Sequence, residues 1–214
     1  FEAARSYFDQ AHGGFGNAAK FPYSMFLRFL LKYYGRTGDK NALAIVRKTL
    51  TAMAEGGLRD HVGGGFHRYS VDQRWDVPHY EKMLYDNGQL AGLYARASEV
   101  TGLPFYRETA IDTIAYMLRE LRDGGGGFYA AEDADVGGVE GEYYLWDYQE
   151  IVGVLGQKAT EKLASSYTIT PVGNFDGRNS LRMKHGVRNG DEPVPPDMKE
   201  MLAALLTARS LRAR

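Results

Sequence analysis

Apolar side chains recur at three- and four-residue steps in four windows of this 214-residue chain. Met25, Phe26, Phe29, Leu30 and Tyr33 form the first, and Leu43, Val46, Leu50 and Met53 the second. Leu90, Leu93, Tyr94 and Ala97 form the third, and Ile111, Ile114, Ala115 and Leu118 the fourth. Such spacing gathers side chains on one face of an α-helix, so four amphipathic helices are predicted. Pro22, Pro78 and Pro104 stand near the fronts of three windows, where a fixed φ suits a first turn. Gly35, Gly56, Gly102 and Gly124 punctuate the ends. Strand-like alternation is confined to Phe66–Val71 and Glu142–Trp146, which predicts short hairpins between helices. A polar Gly- and Pro-bearing linker over 186–197 leads into a last helical pattern from Met198, ending in Arg209, Arg212 and Arg214, cations suited to a helix C-terminus.

The tripeptide Gly-Gly-Phe occurs at Gly13–Phe15, Gly64–Phe66 and Gly126–Phe128, with intervals of 51 and 62 residues (13 to 64, 64 to 126). Each interval holds two helices and a loop, the unit of a helical-hairpin array or an α/α toroid. The expected fold class is therefore mainly α, a single domain of α/α-toroid helical hairpins over 1–214 with short β-hairpin inserts.

Composition narrows the function classes. With 44% hydrophobic residues the chain can bury a substantial core, and 26 basic against 27 acidic residues give no field for a nucleic acid or an anionic membrane. Small neutral ligands or protein partners fit better. The absence of cysteine excludes disulfides, thiolate metal sites and thiol catalysis, and points to the cytoplasm. No apolar run nears the ~20 residues that span a bilayer, and the first ten residues lack the regions of a signal peptide. Gly124–Gly127 is followed by no Gly-Lys-Ser/Thr, so it is no phosphate loop. Gly137 and Tyr144 stand where a calcium loop starting at Asp133 needs acids, and His12 and His61 lack regular ligand spacing. No metal and no cofactor are expected.

The stretch Gly56–Asn87 concentrates three of the five histidines, His61, His67 and His79, among glycines and acids. If Pro78 opens a helix, His79 lies in its first turn, where the dipole disfavours the cation and leaves a neutral base. Glu81 and Asp86 follow on that helix, and Asp86 and Asn87 are poor interior residues unless they bond a partner. Glu132 and Asp133 head a second carboxylate cluster, the equipment of glycoside hydrolysis. His79, Asp86, Glu132 and Asp133 are thus the catalytic candidates. His61, Arg68, Tyr69, Trp75, Tyr80 and Glu81 are candidates for binding a sugar through stacking and hydroxyl contacts. Structural roles compete with each: Trp75 as a core anchor, His79 on a loop carbonyl, Glu81 against the dipole, and the aspartates as turn formers.

Three long motifs in fixed order carry a family resemblance: HGGFGNAAKFP at 12–22, GGGFHRYSVDQRWDVPHYEKMLYDN at 63–87, and GGFYAAEDADVGGVEGEYYLW at 126–146. With Gly173–Phe175, Asn179 and Leu181 they resemble the thioredoxin-domain-containing family named after a spermatogenesis-associated protein. The resemblance implies an N-terminal thioredoxin-like domain followed by a helical domain similar to six-hairpin glycosidases and N-acylglucosamine 2-epimerases. This chain resembles the first part of that helical domain, which implies a fragment whose partners include the thioredoxin-like part and the second half of the toroid. The expected function is a carbohydrate-active domain, epimerase/isomerase-like or glycosidase-like. The alternative is a non-catalytic scaffold or interaction module, with self-association through uncovered helix faces.

Overall fold

The computed structural model describes residues 1–185 and 192–213, so the first half of the expected 186–197 linker lies outside the described residues. A short helix α1 (Glu2–Tyr7) precedes two helical hairpins, α2 (Ser24–Thr37) with α3 (Lys40–Glu55) and α4 (Leu84–Thr101) with α5 (Pro104–Tyr116). Helices α6 (Tyr148–Leu155), α7 (Gln157–Ser166) and α8 (Pro196–Arg209) pack on one another. Three two-residue antiparallel pairs lie between them: β1 (Tyr69–Ser70) with β2 (Pro78–His79), β3 (Lys82–Met83) with β4 (Ala131–Glu132), and β5 (Asp135–Val136) with β6 (Val139–Glu140). Among the described residues no helix is long and apolar enough to cross a membrane.

The helix ends follow local chemistry. Helix α2 runs past Gly35 and stops at Gly38, whose left-handed φ of 71° lets its N–H return to the Tyr34 carbonyl. Asp39 then caps α3 by accepting from the Asn41 N–H, and Pro104 opens α5. The third window lies wholly in the core, whereas the fourth is reversed. Ile111, Ile114 and Leu118 are exposed, and α5 buries Phe105, Tyr106, Thr109, Ala110, Thr113 and Tyr116 instead. Thr109 and Thr113 bond the carbonyls of Phe105 and Thr109, which hides their hydroxyls within the helix. Met25 and Phe29 of the first window are likewise exposed. Of the two expected strand pieces, Tyr69–Ser70 pairs as a strand, while residues 142–144 are turn and only Trp146 bridges, to Asn179.

The Gly-Gly-Phe repeat is a repeated backbone device. The Asp9 N–H donates to the Gly14 carbonyl, the Gly13 N–H to the Asp9 carbonyl, and Asp9 Oδ1 accepts from Ala11 and His12. At Asp60 the same bonds recur with Gly65, Gly64, Val62 and Gly63. A buried lysine clamps each loop. Lys20 Nζ lies 2.5 Å from Asp9 Oδ2 and 2.6 Å from the Gly13 carbonyl, and Lys82 Nζ 2.7 Å from Asp60 Oδ2 and 3.0 Å from the Gly64 carbonyl. Gly13 rests on α3 at Lys48 and Gly64 on α5 at Asp112, each with positive φ and no room for a Cβ. Each of these two loops therefore docks on the second helix of the hairpin that follows it.

The second loop is reinforced from far along the chain. Arg209 of α8 forms a two-pronged pair with Asp60 at 2.9 and 2.7 Å, so Asp60 faces two cations in a fully buried setting. Burial pushes its carboxyl up, and the charges of Arg209 and Lys82 outweigh that and hold it well below the usual range. Arg209 was expected only to complement a helix end. Its buried ion pair is the larger role.

Candidate functional site

The segment after the second loop builds one wall of a polar cluster. Register in the β1–β2 pair sets Tyr69 opposite His79, and their rings stack at 5.0 Å between centroids. Phe21 stacks on the far face of Tyr69 at 4.8 Å. The β5–β6 hairpin turns through Gly137 and Gly138, both at positive φ, and sets Glu140 opposite Asp135. From there Glu140 Oε1 reaches His79 Nδ1 at 2.7 Å and accepts from the Tyr80 N–H at 3.2 Å. A carboxylate can only accept, so Nδ1 carries the proton and the Nε2 edge of His79 is left facing Glu81, 3.7 Å away. Arg68 holds Glu81 through a 2.8 Å bond. Asp86, in the first turn of α4, is pushed up to about 6, first by burial and then by the charge of Glu81, with Arg68 pulling the other way.

This arrangement corrects the expected placement of His79. Pro78 and His79 form strand β2, and the helix begins only at Leu84. Glu140, not a helix terminus, is the group that orients the imidazole, through Nδ1. Asn87 is fully buried in α4, and its amide exchanges hydrogen bonds with both the N–H and the carbonyl of Phe66, tying the second loop to the helix start.

His79, Glu81, Arg68, Tyr69 and Asp86 come together, and the remaining candidates sit elsewhere. Glu132 pairs across from Lys82 and accepts from the Tyr116 hydroxyl at 2.8 Å, which with burial pushes that phenol upward. Asp133 is exposed and accepts from the Asp135 N–H, a turn-forming role. Trp75 is fully enclosed, its ring over Gly14 and its indole N–H donating to the His12 carbonyl. It presents no face to a ligand and anchors the first loop. Tyr80 is buried among Tyr144, His67 and Phe175 and donates to Ser180, with burial pushing its phenol up to about 12. His61 is buried against the Gly56 carbonyl and Tyr167, and burial lowers it to about 3. Glu140 was not among the candidates. Its signal was Val-Gly-Gly-Val, a two-residue hairpin turn that brings position 140 back beside 135.

Paired helical hairpins joined by glycine loops define an α/α-toroid fold of the kind found in sugar epimerases. The cellobiose 2-epimerase of Spirochaeta thermophila superposes with a TM-score of 0.57 and 19% identity, covering 62% of this chain and 36% of that one. A sugar epimerase from a ruminal bacterium superposes with a TM-score of 0.57 and 14% identity, covering 76% of this chain and 46% of that one. No protein-family model matches the chain. Its sequence homologues include proteins named spermatogenesis-associated protein 20. The human protein is 43% identical over 187 residues, a match covering 78% of this chain and 24% of that protein. The chain spans about a quarter of the length of the curated relatives it matches.

Proposed function

We propose that this chain is a carbohydrate-active domain that moves a proton at a sugar carbon beside a carbonyl, as an epimerase or isomerase does. The observation that carries the reading is His79, held by Glu140 through Nδ1 with its Nε2 edge turned to Glu81, which Arg68 holds and whose charge acts on Asp86. In this reading His79 Nε2 takes the proton, the C–H electron pair moves into an enediolate, and Arg68 steadies the oxygen that gains charge. Asp86, with its carboxyl near 6, is protonated in part of the population at neutral pH and returns a proton. Phe21 and Tyr69 supply apolar ring edges for the sugar. The shared fold with two sugar epimerases supports the substrate class. A thioredoxin-like domain and further hairpins on a longer polypeptide are the partners that the family resemblance implies.

The test is deuterium uptake from D2O at the carbon next to the carbonyl, followed by proton NMR over a panel of reducing sugars. Wild type exchanges, and His79→Ala loses about a hundredfold or more. Absence of exchange with every sugar, or equal exchange in the variant, overturns the reading. A second reading, a scaffold that docks a protein, is favoured by the exposed stripe Ile111, Ile114 and Leu118. Sedimentation velocity separates the two, since a scaffold of this kind self-associates and Ile114→Lys abolishes the association.

A further inference from the structure

A groove of about 510 Å³ runs between α2 and α4 and shares no residue with the His79 cluster. Arg28, Lys32 and Arg36 line it from α2 and Arg96 from α4, over an apolar floor of Leu31 and Val100. None of the described residues on its lining is a carboxylate. Arg96 has a partner in Glu99, an exposed pair at 2.6 Å, whereas Arg28, Lys32 and Arg36 have no carboxylate within ion-pair reach among the described residues. Helix α2 itself contains no acid, so its three cations, each four residues from the next on one exposed face, repel one another without compensation. A row of negative charges laid along them would turn that repulsion into attraction. Gly35 and Gly92 line the groove as well, and a Cβ on either would meet nothing within 4 Å. Close helix packing is therefore not what requires glycine at these two sites, although glycine weakens a helix. Its effect there is to leave the floor open between the cations.

We propose that this groove docks an extended acidic peptide segment, its carboxylates at alternate positions meeting Arg28, Lys32 and Arg36 and their methylenes lying over Leu31 and Val100. The spacing matches: cations at every fourth residue of a helix stand about 6 Å apart along its axis, and side chains on one face of an extended peptide about 6.7 Å. A lone phosphate or carboxylate would answer one step of that row only. Single-stranded nucleic acid needs aromatic platforms for its bases, and the one aromatic ring on the described lining, Tyr34, is packed against the core. Exposed ion pairs are individually weak, so the affinity comes from several acting together and falls as salt rises.

Fluorescence anisotropy with a labelled peptide of alternating glutamate and serine, against one of alternating glutamine and serine and an oligothymidine of matched length, tests this. At low salt the glutamate peptide binds about tenfold more tightly than the glutamine peptide, and the combined variant Arg28→Gln, Lys32→Gln, Arg36→Gln removes that preference. Gly92→Leu keeps every charge, suits an exposed helical site and fills the floor, so it weakens peptide binding about tenfold while the thermal unfolding midpoint is retained. No binding of the glutamate peptide, equal binding of the two peptides, tighter binding of the oligothymidine, or unchanged binding in either variant overturns the proposal.

Discussion

The loops at Asp9 and Asp60 share every backbone bond and the lysine clamp, yet they sit in different surroundings. The Asp9 side chain is 13% exposed and is balanced by Lys20 with His12 at the edge, whereas Asp60 is 4% exposed and needs both Lys82 and Arg209. Desolvation explains the difference. A carboxylate near water is stabilised by one ammonium, while one withdrawn from water loses more hydration than a single partner returns. The loop at Asp123 is a looser relative: its glycines are exposed, its backbone bonds close one residue earlier, on Gly126 and Gly127, and its carboxylate accepts from the Gly125 N–H and the Tyr129 hydroxyl, with no lysine. The charge complement of these loops thus grows with burial.

Substitution series break that comparison most directly. Asp60→Ala leaves Lys82 and Arg209 buried without a counter-charge and costs about 3–5 kcal/mol in urea denaturation. Asp9→Ala, with one buried lysine left, costs about half as much. Equal losses at the two sites would contradict the depth argument.

Glycine substitutions sharpen it. A Cβ on Gly65 would stand 2.4 Å from the Tyr116 ring at a φ of +74°, whereas Gly16, at +86°, has nothing within 4 Å. Gly65→Ala should therefore cost about 2–4 kcal/mol by thermal unfolding, combining strain and overpacking, and Gly16→Ala only the strain, about 1 kcal/mol.

The pH dependence separates the second loop further. His61 and His67 are lowered from 6.5 to about 3, first by burial, then by Arg59 and Lys82 respectively. A folded value below the unfolded one means that the unfolded chain binds more protons, so this stability is complete above 6.5 and is lost as pH falls toward 3. His67→Gln should reduce the slope of stability against pH in that window by about one proton, or about 1.4 kcal/mol per pH unit. The first loop, without a buried histidine, contributes no such slope: Asp9, lowered by its lysine and backbone bonds against its own burial, is lost only below its ordinary value of 3.8. At the exposed end of the series, Asp123→Ala should shift stability by no more than about 0.5 kcal/mol.

The same contrast shows what the sequence disclosed. Helices whose buried face is aliphatic, such as α4 with Leu90, Leu93, Tyr94 and Ala97, were legible from periodicity, and the repeat was legible from its glycines. The face of α5 was not, because threonines bonded to their own turn pack as apolar surface while Ile111, Ile114 and Leu118 lie outward. Arg68, Tyr69, His79, Glu81 and Asp86 stood among the candidates because they are close along the chain, but so did Trp75 and Tyr80, which are buried elsewhere. The element that carries His79 was mistaken: Pro78 marks a strand, since Ser70 pairs opposite it. Glu140 arrives from 61 residues away on a hairpin, a distance that only pairing could reveal. The lysine clamps were silent as well, because a lone Lys20 or Lys82 carries no pattern that marks it as fully buried.

The bond between Arg209 and Asp60 spans 149 residues. During synthesis, Asp60 and Lys82 leave the ribosome long before Arg209 does, so the second loop first forms with half its counter-charge. The closing contact is among the most non-local in the chain, and contacts of high sequence separation form late and slowly. The first loop, whose clamp lies 11 residues from its aspartate, has no such wait. The two copies of one motif therefore mature on different clocks, and the arrival of α8 is the event that completes the second.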